Sequence, residues 1–271
     1  MPELPEVETV RRGLLDKVEG RKIIGCQVYH NNIIAYPEVD KFINLISNQT
    51  IYDIKRRGKF LIFKLDDYYL ISHLRMEGKY FIKKENEPRN KHEHVIFKLD
   101  HEKELRYHDT RKFGKMYLVK EDELKNTPLS KLGLEPWDES LTPKYLKDKL
   151  NKNIAIKTLL LDQSIIAGIG NIYADEILFS SRINPTKKGK DLTNKNIISI
   201  IKNTQEILSK AISLGGTTIH TYTSVDGITG RFQQELLVHG KENKPCPICG
   251  NPIKKITVNT RGTYYCDKCQ K

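Results

Sequence analysis

Four of the chain's five cysteines fall within its last 26 residues, as Cys246-Pro-Ile-Cys249 and, sixteen residues later, Cys266-Asp-Lys-Cys269. Two C-x2-C knuckles at this spacing supply four thiolates, the donor set of a tetrahedral structural Zn²⁺ site. No fifth ligand and no open position accompany them, so the ion is expected to clip the chain together and to do no chemistry. Residues 253–265 between the knuckles read as a β-hairpin with Arg261-Gly262 at or near its tip. The clustering also argues against a disulfide framework. Cys26 stands apart in the run Ile23-Ile24-Gly25-Cys26-Gln27-Val28 and reads as a buried strand residue.

Charge narrows the partner. With 46 Lys+Arg against 34 Asp+Glu, the 271 residues carry a formal net charge of +12. That balance favours a polyanion, and without a basic amphipathic helix nucleic acid is favoured over a membrane surface. No signal-peptide pattern and no apolar run of membrane-spanning length occurs, so a soluble, cytoplasmic protein is expected. The length admits two domains with a sizeable core. No dimerisation signal is evident, and a monomer is expected.

At the other end the chain reads Met1-Pro2-Glu3-Leu4-Pro5-Glu6. Met1 precedes a small residue, so its removal is expected, leaving Pro2 with a free secondary amine. An α-amino group titrates near ~8 and a lysine near ~10.4, so at pH 7 roughly a tenth of the former is neutral against fewer than about one in a thousand of the latter. A neutral amine is the nucleophile that Schiff-base formation at an aldehydic carbon requires. Glu3 is a candidate proton donor beside it, and Glu6 lies within one turn. Val7, Val10 and Leu14 recur at helical spacing after Pro5, predicting a helix over residues 6–15 that anchors the terminus.

Residues 22–119 alternate short strands with turns. Strands are predicted over 22–30, 59–65, 68–74, 94–99, 104–108 and 115–119, with hairpin turns at 66–67 and 100–103. Six or more short strands at this spacing predict an antiparallel sandwich. Two glycine-punctuated loops, His73-Leu74-Arg75-Met76-Glu77-Gly78 and His108-Asp109-Thr110-Arg111-Lys112-Phe113-Gly114, each put an apolar side chain beside arginine. A protein that extrudes a base needs apolar wedges and a cation to fill the gap. Pattern alone reads Met76 as a core filler and Phe113 as a strand-end core residue. Arg56-Arg57-Gly58-Lys59 forms a basic corner suited to a phosphate clamp.

Prolines and a glycine over 127–143 mark an interdomain linker. Beyond it the pattern turns helical. Ile156, Leu159, Leu160 and Ala167 predict one helix, Gly168-Ile169-Gly170-Asn171 a break, and Ala174, Ile177, Leu178 and Ser181 a second helix. The turn exposes backbone N–H groups at a helix start, with Lys152 and Lys157 close in sequence. A third helix is predicted over Ile197 to Ile212, entered through Thr193 and ended by Gly215-Gly216. The polar stretch 215–232 that follows is long enough to be a functional loop, its threonines able to read the edge of a base.

Taken together these residues resemble the formamidopyrimidine-DNA glycosylase family, bacterial repair enzymes for oxidised purines. The resemblance runs in order over essentially the whole chain: Pro2-Glu3-Leu4-Pro5-Glu6-Val7-Glu8, Arg57-Gly58-Lys59, residues 73–78, 109–114, 168–174 and 215–218, and the zinc knuckles. It implies an α+β protein with an N-terminal antiparallel β-sandwich flanked by helices. A C-terminal helical domain with a helix–two-turns–helix motif and a zinc-ribbon hairpin completes the fold. The implied division is 1–133 catalytic, 134–237 DNA-binding with the lesion loop, and 238–271 zinc finger. The implied partner is double-stranded DNA carrying an oxidised purine or an abasic site.

By the same resemblance the Pro2 amine attacks C1′ of the damaged nucleotide and Glu3 is the general acid/base. Lys59 contacts phosphate and assists β-elimination, and Arg261 contacts phosphate and assists δ-elimination. Met76, Arg111 and Phe113 fill the void, Arg111 facing the orphaned cytosine. His92, Lys152 and Asn171 contact the DNA backbone, and Lys157 is expected among the DNA-binding residues. Thr217, Thr218 and Tyr222 belong to the lesion-reading loop. Two positions depart from the pattern: His239 stands where an aromatic hydroxyl is expected, and Arg231 where an aromatic ring is expected. Two alternatives stay open. One is the sister group resembling endonuclease VIII, which prefers oxidised pyrimidines; the other is a non-catalytic zinc-ribbon DNA-binding protein.

Overall fold

A computed structural model describes residues 1–217 and 230–271, so Thr218 and Tyr222 lie outside the described residues. The described residues form two compact units: 1–130 with 215–217 and 230, and 131–214 with 231–271.

The first unit is built on helix α1 (Leu4–Val18), whose buried stripe is Leu4, Val7, Val10, Leu14 and Val18. Nine strands follow: β1 (Ile23–Val28), β2 (Ile34–Tyr36), β3 (Asp53–Arg57), β4 (Phe60–Lys64), β5 (Tyr69–His73), β6 (Lys79–Lys84), β7 (Glu93–Leu99), β8 (Lys103–His108) and β9 (Lys115–Val119). They form a four-stranded sheet, β1-β7-β8-β6, and a five-stranded sheet, β2-β9-β5-β4-β3. One apolar core draws Val95, Phe97, Leu105 and Tyr107 from the first sheet and Leu61, Phe63, Leu70 and Leu118 from the second. Val7, Val10 and Leu14 of α1 join it, as does Cys26, whose thiol burial pushes up to about 12.

The sandwich differs from the expectation in three details. The pair β2–β9 is parallel, a three-residue edge strand that Pro37 terminates. Strand β3 was hidden by its composition, since Asp-Ile-Lys-Arg-Arg offers only Ile54 to the core; β6 is likewise masked by its flanking lysines. Helix α2 (Val39–Ile46), with Phe42 and Ile46 buried, has too few turns to show a period.

The second unit carries α3 (Pro143–Leu150), α4 (Ile156–Leu161), α5 (Asn171–Ser180), α6 (Asn194–Ser213), β10 (Lys254–Val258) and β11 (Arg261–Tyr265). Helix α6 starts as expected at Thr193, whose Oγ1 accepts from Asn196 N at 3.2 Å. Helix α4 is shorter than the apolar spacing predicts, and Ala167 lies beyond it. Asp162 Oδ1 accepts from Ser164 N and Oγ, turning the chain out of the helix. Gln163 then staples the loop, accepting from Gly168 N at 2.9 Å and donating to the Leu161 and Ile169 carbonyls. Among the described residues no helix is long and apolar enough to cross a membrane.

Candidate active site and nucleic-acid interface

The N-terminus is an ordered part of the first unit. Pro2 is buried and Glu3, the N-cap of α1, is 2 % exposed. Glu6 holds this end in place: its Oε2 accepts from Glu3 N at 2.8 Å, and its Oε1 accepts from Thr217 N at 2.7 Å and Thr217 Oγ1 at 3.0 Å. One buried carboxylate thus ties the terminus to the start of the expected lesion loop. Gly216, at φ +76, makes the contact possible, since a Cβ there would lie 2.7 Å from Glu6 Oε1. Sequence reasoning placed Glu6 near the terminus but missed this bridge, which joins residues 211 apart.

Glu8 braces the same helix against β3. It accepts from Arg11, Arg12 and Arg56 at 2.8–3.2 Å. Burial would raise its pKa, but these guanidinium hydrogen bonds and charges win and hold it below the usual carboxylate range. The Arg56–Lys59 corner is the β3–β4 turn, with Gly58 at φ +56 and Arg56 Nη1 donating to the Gly58 carbonyl. Lys59 is only 6 % exposed. Its charge acts on His73, whose pKa falls to about 3, chiefly through burial and then through Arg75 and Lys59.

His73 is therefore a neutral, buried ring packed edge-on against Phe60 at 4.5 Å, its Nδ1 accepting from Arg75 N. Its folded pKa lies below the ordinary 6.5, so it protonates more readily unfolded. The stability it confers is complete above about pH 6.5 and declines by at most about 1.4 kcal/mol per pH unit toward pH 3. Thermal unfolding from pH 7 to 4.5 is expected to show a shallower loss for His73→Gln than for the wild type. Equal slopes would mean that His73 is not the group responsible.

The two glycine-punctuated loops are braced in a way not read from the sequence. Asp109, fully buried, accepts from Arg111 N at 3.0 Å, Phe113 N at 2.9 Å, Gly114 N at 2.9 Å and Tyr107 Oη at 3.3 Å. Gly114 has no room for a side chain, since a Cβ would meet the Tyr107 hydroxyl at 1.7 Å. Thr110 Oγ1 donates to Glu77, joining this loop to residues 74–78. The staple turns Phe113 outward, 49 % exposed, with the Arg111 guanidinium 4.8 Å from its ring centroid. Phe113 is thus no core residue, and Met76 is only half-buried. His92 is half-buried against His94 and His108. Replacing Asp109 by Ala strands three backbone N–H groups and is expected to cost about 2–4 kcal/mol, with weaker DNA binding. Chemical denaturation and a duplex titration check this; an unchanged pair of values would contradict the staple.

In the second unit Lys152 is exposed, and Arg261 is exposed at the first position of β11, straight after the Asn259-Thr260 turn. Asn171 opens α5 and donates through Nδ2 to the Gly262 carbonyl at 3.0 Å. Lys157 departs from its expected place as a DNA contact. It is fully buried, pairs with Asp175 Oδ1 at 2.5 Å and donates to the same Gly262 carbonyl at 3.2 Å. An ammonium without solvent access cannot reach a phosphate; it braces the residue after Arg261. Asp175 and Lys157 were not foreseen as a pair because burial at position 157 leaves no mark in the local pattern.

The four cysteine sulfurs lie within 4.8 Å of one another, with Cys249–Cys266 at 3.5 Å and Cys246–Cys269 at 3.9 Å. Tetrahedral Zn–S bonds of about 2.3 Å need sulfurs spaced at roughly this range. The donor set, four thiols converging on one point, also fits a cation. The Asn251 backbone amide helps hold Cys249 at about 7, whereas burial and then its three neighbours push Cys269 up to about 12. A divalent ion supplies the charge that lets all four ionise together. Cys246 and Cys266 share a small core with Phe179, Val238 and Ile253, which seats the zinc module on α5.

Three family models match the chain in order: the formamidopyrimidine-DNA glycosylase N-terminal domain over 1–116, the formamidopyrimidine-DNA glycosylase H2TH domain over 132–223, and the zinc finger found in FPG and IleRS over 243–271. The formamidopyrimidine-DNA glycosylase of Bacillus licheniformis is 47 % identical over 274 residues, covering all of both chains. That of Bacillus subtilis is 48 % identical over 273 residues, covering 100 % of this chain and 99 % of its own. The chain belongs to the formamidopyrimidine-DNA glycosylase family. Such glycosylases also carry abasic-site lyase activity. A crystal structure of a Lactococcus lactis family member, a mutant bound to Fapy-dG-containing DNA, superposes with a TM-score of 0.94 at 42 % identity, covering 100 % of each chain. The mixed α+β fold of these glycosylases is the fold seen here, and the H2TH match spans α4 and α5. Cys246, Cys249, Cys266 and Cys269 are the glycosylase's site for one structural Zn²⁺.

Proposed function

We propose that this glycosylase excises oxidised purines, 8-oxoguanine and formamidopyrimidines, from double-stranded DNA and cleaves the strand by β,δ-elimination. The Pro2 amine, freed of Met1, attacks C1′ of the damaged nucleotide; the C1′–N bond to the base breaks and a Schiff base forms. Glu3 moves the proton at the opening sugar. Lys59 assists departure of the 3′ phosphate and Arg261 departure of the 5′ phosphate. Met76, Arg111 and Phe113 fill the space left by the extruded nucleotide, while His92, Lys152 and Asn171 meet the backbone. Thr217, Thr218 and Tyr222 belong to the loop that reads the damaged base. The division of labour is 1–133 for chemistry, 134–237 for DNA grip and lesion reading, and 238–271 for the zinc finger, at work in the cytoplasm on nucleoid DNA.

The observation that carries this reading is Glu6, whose one carboxylate accepts from both the Glu3 and Thr217 backbones. It couples the nucleophile end of the chain to the loop that senses the base, as chemistry conditional on lesion identity requires. The outward Phe113 and the net charge of +12 support the DNA partner. Excision of 8-oxoguanine and of thymine glycol from otherwise identical duplexes tests the substrate class; a clear preference for thymine glycol would overturn it. Affinity is expected to fall steeply with salt. About six phosphate contacts correspond to a loss on the order of 10³-fold between about 50 and 200 mM. A flat dependence in a fluorescence titration would contradict the proposed clamps.

A further inference from the structure

Position 239, where an aromatic hydroxyl was expected, holds an imidazole that reaches inward. His239 Nδ1 lies 2.7 Å from Asp175 Oδ2, and the other oxygen of that carboxylate takes Lys157 Nζ at 2.5 Å. Lys157 and Asn171 both donate to the carbonyl of Gly262, at 3.2 and 3.0 Å. A continuous line of hydrogen bonds therefore runs from His239 through Asp175 and Lys157 to the residue beside Arg261. Asp175 is 1 % exposed and Lys157 fully buried, so each depends on protein partners.

The backbone at this position is fixed as well. Glu176 accepts from Leu237 N, Val238 N and His239 N at 2.8–3.0 Å. The imidazole ring packs edge-on against Tyr264 of β11 at 5.0 Å. An imidazole carries Nδ1 one bond from Cγ, close to the main chain, whereas a tyrosine hydroxyl sits at the far side of its ring. With the backbone pinned by Glu176, the shorter reach of histidine is what meets Asp175.

We infer that His239 is a positioning residue for the zinc hairpin, its Nδ1–H donating to Asp175 so that Lys157 holds the Gly262 carbonyl and sets the placement of Arg261. Without that donor, Asp175 Oδ2 loses its partner, and Lys157 is drawn toward both carboxylate oxygens and away from Gly262. The inference rests on the proposed role of Arg261 only for its effect on the reaction, not for the clamp itself.

Two substitutions separate the donor from the ring. His239→Phe keeps the packing on Tyr264 and removes the N–H; His239→Asn loses the ring but carries an amide N–H near the position of Nδ1. The full-length, zinc-loaded proteins are compared by hydrogen exchange of residues 254–265 and by the ratio of δ- to β-elimination ends on a duplex carrying an abasic site. Phe is expected to speed exchange of the hairpin and lower the ratio by about five- to thirty-fold, the range one charge-assisted hydrogen bond corresponds to. Asn is expected to stay within about twofold of wild type on both counts, a rescue that a packing role does not give. Wild-type exchange in the Phe variant, or loss in Asn with retention in Phe, overturns the inference. Arg261→Ala run alongside reports on the underlying reading: an unchanged ratio there rejects Arg261's role, while the exchange data still decide the clamp.

Discussion

A residue retained ahead of Pro2 is expected to abolish base release and strand cleavage while lesion-duplex binding persists. Acylation turns the proline nitrogen into an amide, whose lone pair is delocalised into the carbonyl and no longer attacks C1′. Loss of the group that forms a covalent intermediate costs on the order of 10³-fold or more in rate, because what remains is binding and electrostatic stabilisation. The effect is local. Leu4, Val7 and Val10 stay in the core, and the Glu6 bridge to Thr217 uses backbone beyond Pro2, so the fold and the DNA surface are unaffected. Pro2→Gly, which restores a free α-amine, is expected to recover part of the activity that the extension removes. Single-turnover rates on an 8-oxoguanine duplex, with the N-terminus verified by mass, decide the matter. Wild-type nicking by the extended protein would move the nucleophile elsewhere.

Removing zinc is expected to have the next largest effect. Among the described residues the hairpin β10–β11 is supported by a small apolar cluster of Phe179, Val238, Ile253 and the cysteines, with Tyr264 packed against it. Binding of a structural Zn²⁺ contributes about 10–16 kcal/mol of apparent free energy to such modules, far more than so small a core supplies. Chelation, or Cys266→Ser, is therefore expected to unfold residues 243–271 and leave the sandwich and its melting transition in place. Hydrogen exchange should show lost protection over 243–271 alone, and δ-elimination should fall with it as Arg261 loses its seat. Verified metal-free protein with an intact hairpin would contradict the zinc assignment.

Much of this could be read from residue types because the chemistry depends on them directly. Two C-x2-C pairs specify a metal site whatever surrounds them, and α1 and α6 display their buried stripes and caps in sequence. What stayed hidden depends on partners distant in the chain. Asp109 reads as one loop residue among several until four donors converge on it. Lys157 looked like a surface cation because its partner, Asp175, sits about one turn into the following helix α5 and burial has no local signature. Strand β3 exists because β4 pairs with it, not because of its own apolar content. His239 stood out only as a departure; its tie to Asp175 needed coordinates.

Every step proposed for the reaction starts from Pro2 as the nucleophile. The most direct measurement mixes the protein, its N-terminus verified, with a duplex carrying 8-oxoguanine opposite cytosine, adds borohydride, and maps any covalent adduct by peptide mass. One reduced adduct, on Pro2, is expected. Tight binding with no adduct, or an adduct on a lysine, would contradict it.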